Sequence, residues 1–171
     1  SYLNSSHNMI FNTFPSYYFS SCSYINISSN FMNTKSWFFN CQNGKIQNNT
    51  IKPIDRFDCI EVEFCSTFEI SDNNLQNSDS EGIILVETHN STIINNYCNN
   101  ITYGGLWLYR SSNNTITGNQ FLYGENCDIG FDDGSGICAN NSFYNNAIIN
   151  DKPIVVDLGS NIEHNMWDNG T

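Results

Sequence analysis

Reactive side chains are few in this chain of 171 residues: two arginines (Arg56 and Arg110), three histidines and seven cysteines, set among seventeen acidic residues and thirty asparagines. Arg110 has Glu87 before it and Asp132 after it at nearly equal distances along the chain. That set reads either as an acid/base cluster turned to a substrate or as a column of alternating charge that relieves like-charge stacking. Asp128, Asp132 and Asp133, interleaved with Gly130 and Gly134, are the carboxylates with which a calcium ion, a hard cation that takes several oxygens, would be held. No EF-hand spacing is present, and turn aspartates also serve their own backbone. His7, His89 and His164 are far apart and no Ser or Cys stands at a spacing that suggests a triad. Without a CxxC pair or a Cys/His cluster no zinc site is expected either.

The cysteines carry more information. Cys22, Cys41 and Cys65 each stand five places before an isoleucine (Ile27, Ile46, Ile70), which puts them in one column if those isoleucines recur structurally. Neighbours in such a column stand about 4.8 Å apart at Cα, inside the disulfide range, so one adjacent pair can bridge and leave the third free. Cys59 and Cys127 fall near strand starts, where exposure is expected, while Cys98 and Cys138 take apolar core positions. Seven is odd, so in an oxidising compartment a thiol stays free or bonds to another molecule. The disulfide or intersubunit candidates are therefore Cys22, Cys41, Cys65, Cys59 and Cys127.

What positions these residues is a repeat. The pattern apolar, x, x, Asn, x, apolar recurs with its Asn at Asn12, Asn30, Asn49, Asn73, Asn96, Asn119, Asn141 and Asn165, the first two steps being shorter than the rest. A second short apolar run, such as Ile83–Leu85 or Leu106–Leu108, follows most of them at a similar interval. No helical periodicity fits between. A unit of about 22 residues made of short strands and polar turns cannot bury its own inner face, so the units must stack. The fold class predicted is all-β: a right-handed, single-stranded parallel β-helix of about eight rungs without a capping helix, the hand following from the parallel crossover rule. It forms one domain over 1–171, with shorter, aromatic-rich rungs over 1–45 and regular rungs of roughly 22–24 residues over 46–171. The eight asparagines form a structural ladder: Asn tolerates the left-handed turn, and stacked amides hydrogen-bond from rung to rung.

Composition narrows the partners. Six Lys+Arg against seventeen Asp+Glu give a formal net charge of −11, which offers no surface for nucleic acid or anionic membrane. No stretch approaches the roughly 18 apolar residues of a membrane span, so no membrane insertion is expected. Eight Asn-x-Ser/Thr sequons, at Asn4, Asn26, Asn48, Asn90, Asn100, Asn113, Asn140 and Asn169, are glycosylation candidates and fit an extracellular or cell-surface place, with a leader removed before Ser1.

The segment Ser112 to Phe121 and the stretch Asn165-Met166-Trp167-Asp168-Asn169-Gly170 resemble the right-handed β-helix repeats of the pectate-lyase-like superfamily, in particular the NosD-type surface repeats common in archaea. The resemblance specifies fold more than function. It implies a family of polysaccharide lyases and hydrolases, carbohydrate-binding modules and non-catalytic envelope proteins. The lyases use a basic proton abstractor and a calcium-holding carboxylate cluster, and the hydrolases use paired carboxylates. In composition and repeat type the chain is also similar in kind to archaeal cell sheaths.

Two functions follow. The first is a non-catalytic structural protein with no cofactor, a β-helix subunit that pairs with itself head to tail and laterally into a sheath, layer or filament, with intersubunit disulfides; uncapped ends, the odd cysteine and exposed aromatics motivate it. The alternative is a carbohydrate-binding or polysaccharide lyase/hydrolase domain. There Trp37, Tyr103, Trp107 and Tyr109 stack on the sugar rings of a cell-surface glycan, with Glu87, Arg110 and Asp132 as polar contacts.

Overall fold

The computed structural model describes residues 1–6, 9–10, 16–54, 56–122, 124–132, 136–149, 154–156 and 165–168. Among the described residues stand twenty-two strands of two to six residues and no helix. They stack into three parallel sheets of eight, seven and seven strands, and the chain visits the first, second and third sheet in turn. All strand pairs are parallel and link successive rungs, as in Ile46, Ile70, Ile93 and Ile116 of the first sheet. This is a parallel β-helix.

Inward alternation makes the core. The first sheet contributes Ile27, Ile46, Ile70, Ile93, Ile116 and Phe143, the second Met32, Ile51, Leu75, Cys98 and Phe121, and the third Phe38, Val62, Leu85, Leu108 and Phe131, all buried. Each such apolar side chain stabilises the rod by roughly 1.5–3 kcal/mol.

Corners are made by left-handed residues. Ser29, Asn48, Asp72, Asn95, Gly118 and Asn145 turn the chain from the first sheet to the second with φ between 55° and 67°. Just inside that corner, Asn30, Asn49, Asn73, Asn96 and Asn119 are buried and each donates its amide to the next rung's, as in Asn73 Nδ2 to Asn96 Oδ1 at 2.9 Å and Asn96 Nδ2 to Asn119 Oδ1 at 3.0 Å. The next member is Asn146, to which Asn119 donates at 3.0 Å. Asn141 and Asn165 are therefore not part of this column, contrary to the sequence expectation. They form a second ladder where the third sheet meets the first, in which Asn114 Nδ2 donates to Asn141 Oδ1 at 3.1 Å and the Asn141 N–H to Asn165 Oδ1 at 2.7 Å. The reason is an insertion. Phe143, the register partner of Ile116, stands four positions further from it along the chain than Ile116 stands from Ile93. The extra length enters at the corner after Phe131, and Asn is common enough to supply a false match at the old spacing. Asn12 lies outside the described residues.

Candidate functional site

The cysteine column exists, and its chemistry is that of a hydroxyl column. Cys22, Cys41 and Cys65 stack with the Cys22 N–H on Cys41 Sγ at 3.4 Å and the Cys41 N–H on Cys65 Sγ at 3.2 Å. In the following rungs the same place is taken by Thr88 and then Ser111, with the Thr88 N–H on Ser111 Oγ at 3.1 Å. Each side chain donates to a carbonyl at the end of the preceding third-sheet strand: Cys65 to Phe38 at 3.5 Å, Thr88 to Val62 at 2.8 Å, Ser111 to Leu85 at 3.0 Å and Cys138 to Leu108 at 3.4 Å. Cys138, buried in the core as expected, also joins this column; the insertion hid that place. All seven cysteines are free thiols and only Cys22 reaches the surface. Cys59 and Cys127 are fully buried, against the exposure expected of them, because the start of the third-sheet strand turns them inward. Burial pushes Cys65 up to about 12 and Cys127 up to about 11, so neither offers thiolate.

Chemistry concentrates on the third sheet. Its outward columns run Tyr18, Trp37, Glu61, Ile84, Trp107, Gly130 and Ser20, Phe39, Glu63, Val86, Tyr109. Tyr18 lies 4.8 Å from Trp37 between ring centroids, and Trp107 stacks on Tyr109 at 5.9 Å with an interplanar angle of 24°. The Trp107 indole lies over Gly130, where a Cβ would stand 2.4 Å from the ring. Trp37 donates to Glu63 at 3.2 Å. Glu61 and Glu63, though outward, are half-buried and partnered.

At the sheet's leading edge Lys35 is paired to Asp58 at 2.9 Å and to Glu61, and lies 5.2 Å from the Trp37 ring. Asp58 in turn meets Glu81, which takes a hydrogen bond from Ser80 Oγ. Burial, then the hydrogen bond with Asp58, raises Glu81 to about 7. Burial would also raise Asp58, but the hydrogen bonds from Glu81 and Ser80 and the Lys35 charge outweigh it and hold that carboxyl low. Near pH 7 the pair shares a proton. Ser80 also lines a polar cleft of about 460 Å³ with Arg56, Asp79, Thr102, Tyr103 and Glu125. Sequence reading missed Asp58 and Glu81; Phe57-Asp58-Cys59 and Ser80-Glu81-Gly82 carry no motif, and only their equivalent places in successive rungs join them.

At the trailing edge Arg110 pairs with Glu87 at 2.8 Å, as the spacing implied. Both sit in left-handed conformation, φ 47° and 43°, and the inserted loop brings Gly136 so close to the Arg110 stem that a Cβ there would be 2.0 Å from Cγ. Asp132 stands in register with Tyr109, one residue off the Arg110 column. Asp128 is buried at the start of the same strand, beside Cys127 and Cys98; Asp133 lies outside the described residues. The described residues hold no group of three or more His, Cys, Asp or Glu placed to bind a metal ion. No helix among them is long and apolar enough to cross a membrane.

Comparison with known proteins adds a family. The model of the family described as periplasmic copper-binding protein (NosD) matches residues 2–171. No curated protein matches. Among solved structures, a double mutant of the periplasmic alginate epimerase AlgG is similar, with a TM-score of 0.63 at 13% identity, covering 85% of this chain and 42% of that one. At that identity the likeness shows the shared fold.

Proposed function

The chain belongs to the NosD family, and from that premise we propose that it is an extracytoplasmic glycan-binding β-helix whose third sheet is the binding face. The observation that carries this is the outward platform of Tyr18, Trp37, Trp107 and Tyr109, interleaved with Glu61, Glu63, Glu87 and Arg110 and flanked by the polar cleft at Ser80 and Tyr103. Aromatic faces stack on the apolar faces of sugar rings while the carboxylates take hydroxyls. Trp37 and Trp107 are three rungs apart, about 14 Å, so the ligand is an extended chain. The formal charge of −11 disfavours polyuronates and favours neutral or amino-sugar polymers. A periplasmic family description and a periplasmic structural relative support the location.

A self-assembling subunit linked by disulfides draws less support, since six of the seven thiols are buried and the column among them serves the backbone in the manner of Ser and Thr. Copper binding, which the family's description names, finds three thiols in a row at Cys22, Cys41 and Cys65, but the latter two are buried and the described residues hold no group of three or more His, Cys, Asp or Glu placed to bind a metal ion.

The test is affinity electrophoresis and calorimetry against neutral, amino-sugar and uronic polymers. Binding to a neutral or amino-sugar polymer is expected, with a loss of about tenfold or more on Trp107→Ala, which corresponds to about 1.4 kcal/mol. Absence of binding across the panel, or binding indifferent to Trp107→Ala, overturns the reading.

A further inference from the structure

The corner between the third and first sheets carries a column that the binding face does not use. Asn43, Thr67, Asn90, Asn113 and Asn140 occupy it with φ of 52°, 59°, 54°, 60° and 57°. The left-handed turn explains asparagine there. It does not explain the residue two positions on. In successive rungs that position holds Lys45, Glu69, Thr92, Thr115 and Ser142, in register as outward residues of the first sheet. The first two are an ion pair at 3.1 Å; the last three are half-buried hydroxyls. Three consecutive rungs therefore present Asn-x-Ser/Thr with the Asn exposed at the corner and the hydroxyl beside it at the sheet's edge. Asn26 and Asn100 differ: Asn26 donates its amide to Asn4 at 3.1 Å and Asn100 to Asn77 at 2.9 Å. Asn48 turns the other corner, and Asn169 lies outside the described residues. The amide nitrogens of Asn90, Asn113 and Asn140 make no such bond among the described residues.

We propose that Asn90, Asn113 and Asn140 are a column of N-glycosylation sites along this edge. The co-reactant is a lipid-linked oligosaccharide diphosphate. The Asn Nδ2–C1 bond forms as the C1–O bond to the diphosphate breaks, the lipid diphosphate leaves, and the amide gives up one proton; nothing is oxidised or reduced. The sugars project from the corner and leave the outward third sheet bare, so the modification is separate from glycan binding and does not depend on it. It needs only that the chain meet the donor outside the cytoplasm.

Glycopeptide mass spectrometry of the chain isolated from its native cells tests this. Glycan mass is expected on Asn90, Asn113 and Asn140 and absent from Asn43, an exposed, left-handed asparagine of the same corner column with Lys45 in place of the hydroxyl. Thr115→Val keeps the turn and a residue suited to a strand, and removes the glycan from Asn113 alone; Asn113→Gly, which suits the left-handed turn, does the same. Bare asparagine at all three positions overturns the proposal, as does a glycan on Asn113 that survives Thr115→Val.

Discussion

Glu81 and Asp58 are the residues whose protonation the fold has altered most usefully. An ordinary carboxyl is ionised well below neutrality, but Glu81 keeps its proton up to about 7 in the folded chain. The folded state therefore binds more protons than the unfolded one between the ordinary glutamate range and pH 7. The stability this gives is fully present below the unfolded value and is lost as pH rises through about 7. Asp58, held low, works in the opposite sense at lower pH. Glu81→Gln keeps a donor for Asp58 and removes the titration. Its melting temperature is expected to match that of the parent near pH 4 and to exceed it at pH 8, in thermal melts followed by circular dichroism; a constant offset across that range contradicts the shared proton. Neither residue could be found from local sequence, because the two stand a whole rung apart along the chain and only the repeat makes them neighbours.

At the scale of the element, the third sheet's trailing end depends on one small donor per rung. Cys41, Cys65, Thr88, Ser111 and Cys138 each donate to a carbonyl of the preceding rung there. Cys65→Ser keeps donor and acceptor and is expected to change stability by less than about 1 kcal/mol, whereas Cys65→Val strands the buried Cys41 N–H and costs about 1–3 kcal/mol. Denaturant midpoints of the two variants measure the difference. The cysteine column was legible from the spacing of Cys22, Cys41 and Cys65 to the next isoleucine. Its meaning was not, since spacing cannot tell a disulfide former from a thiol standing where Ser or Thr would serve. The ladder was legible over Asn30 to Asn119 and failed at Asn141, because the insertion put another Asn at the expected distance. The ion pair of Arg110 with Glu87 was also legible, since both residues keep the period of the regular rungs; Gly136 against the Arg110 stem was not, being a product of the insertion.

In the whole molecule nearly every long-range contact is to the next rung, as the strand order in all three sheets requires. Stability is then a sum of rung terms and nearest-neighbour interfaces. Removal of the segment 93–115 joins Thr92 to Ile116, and Thr92 and Thr115 are register partners, so one whole rung is lost. The shortened chain is expected to keep its β spectrum and fold cooperatively at a lower melting temperature, whereas removal of 93–114, shorter by a single position, puts Thr115 in the inward place of Ile93 and abolishes folding. Calorimetry of the two deletions checks this.

The Asn ladder thereby acts as a ruler on inheritance. A duplication or loss that spans a whole rung leaves each surviving amide facing another amide, so both neighbours accept it without a compensating change. A change of one position within the strands inverts the side chains beyond it, inside for outside. At the corner after Phe131 additional residues already lie, and the strands beyond keep their register. A gene for such a chain can lengthen or shorten its third sheet in steps of one rung, and can revise the chemistry at that corner while the rest of the rod stays in step.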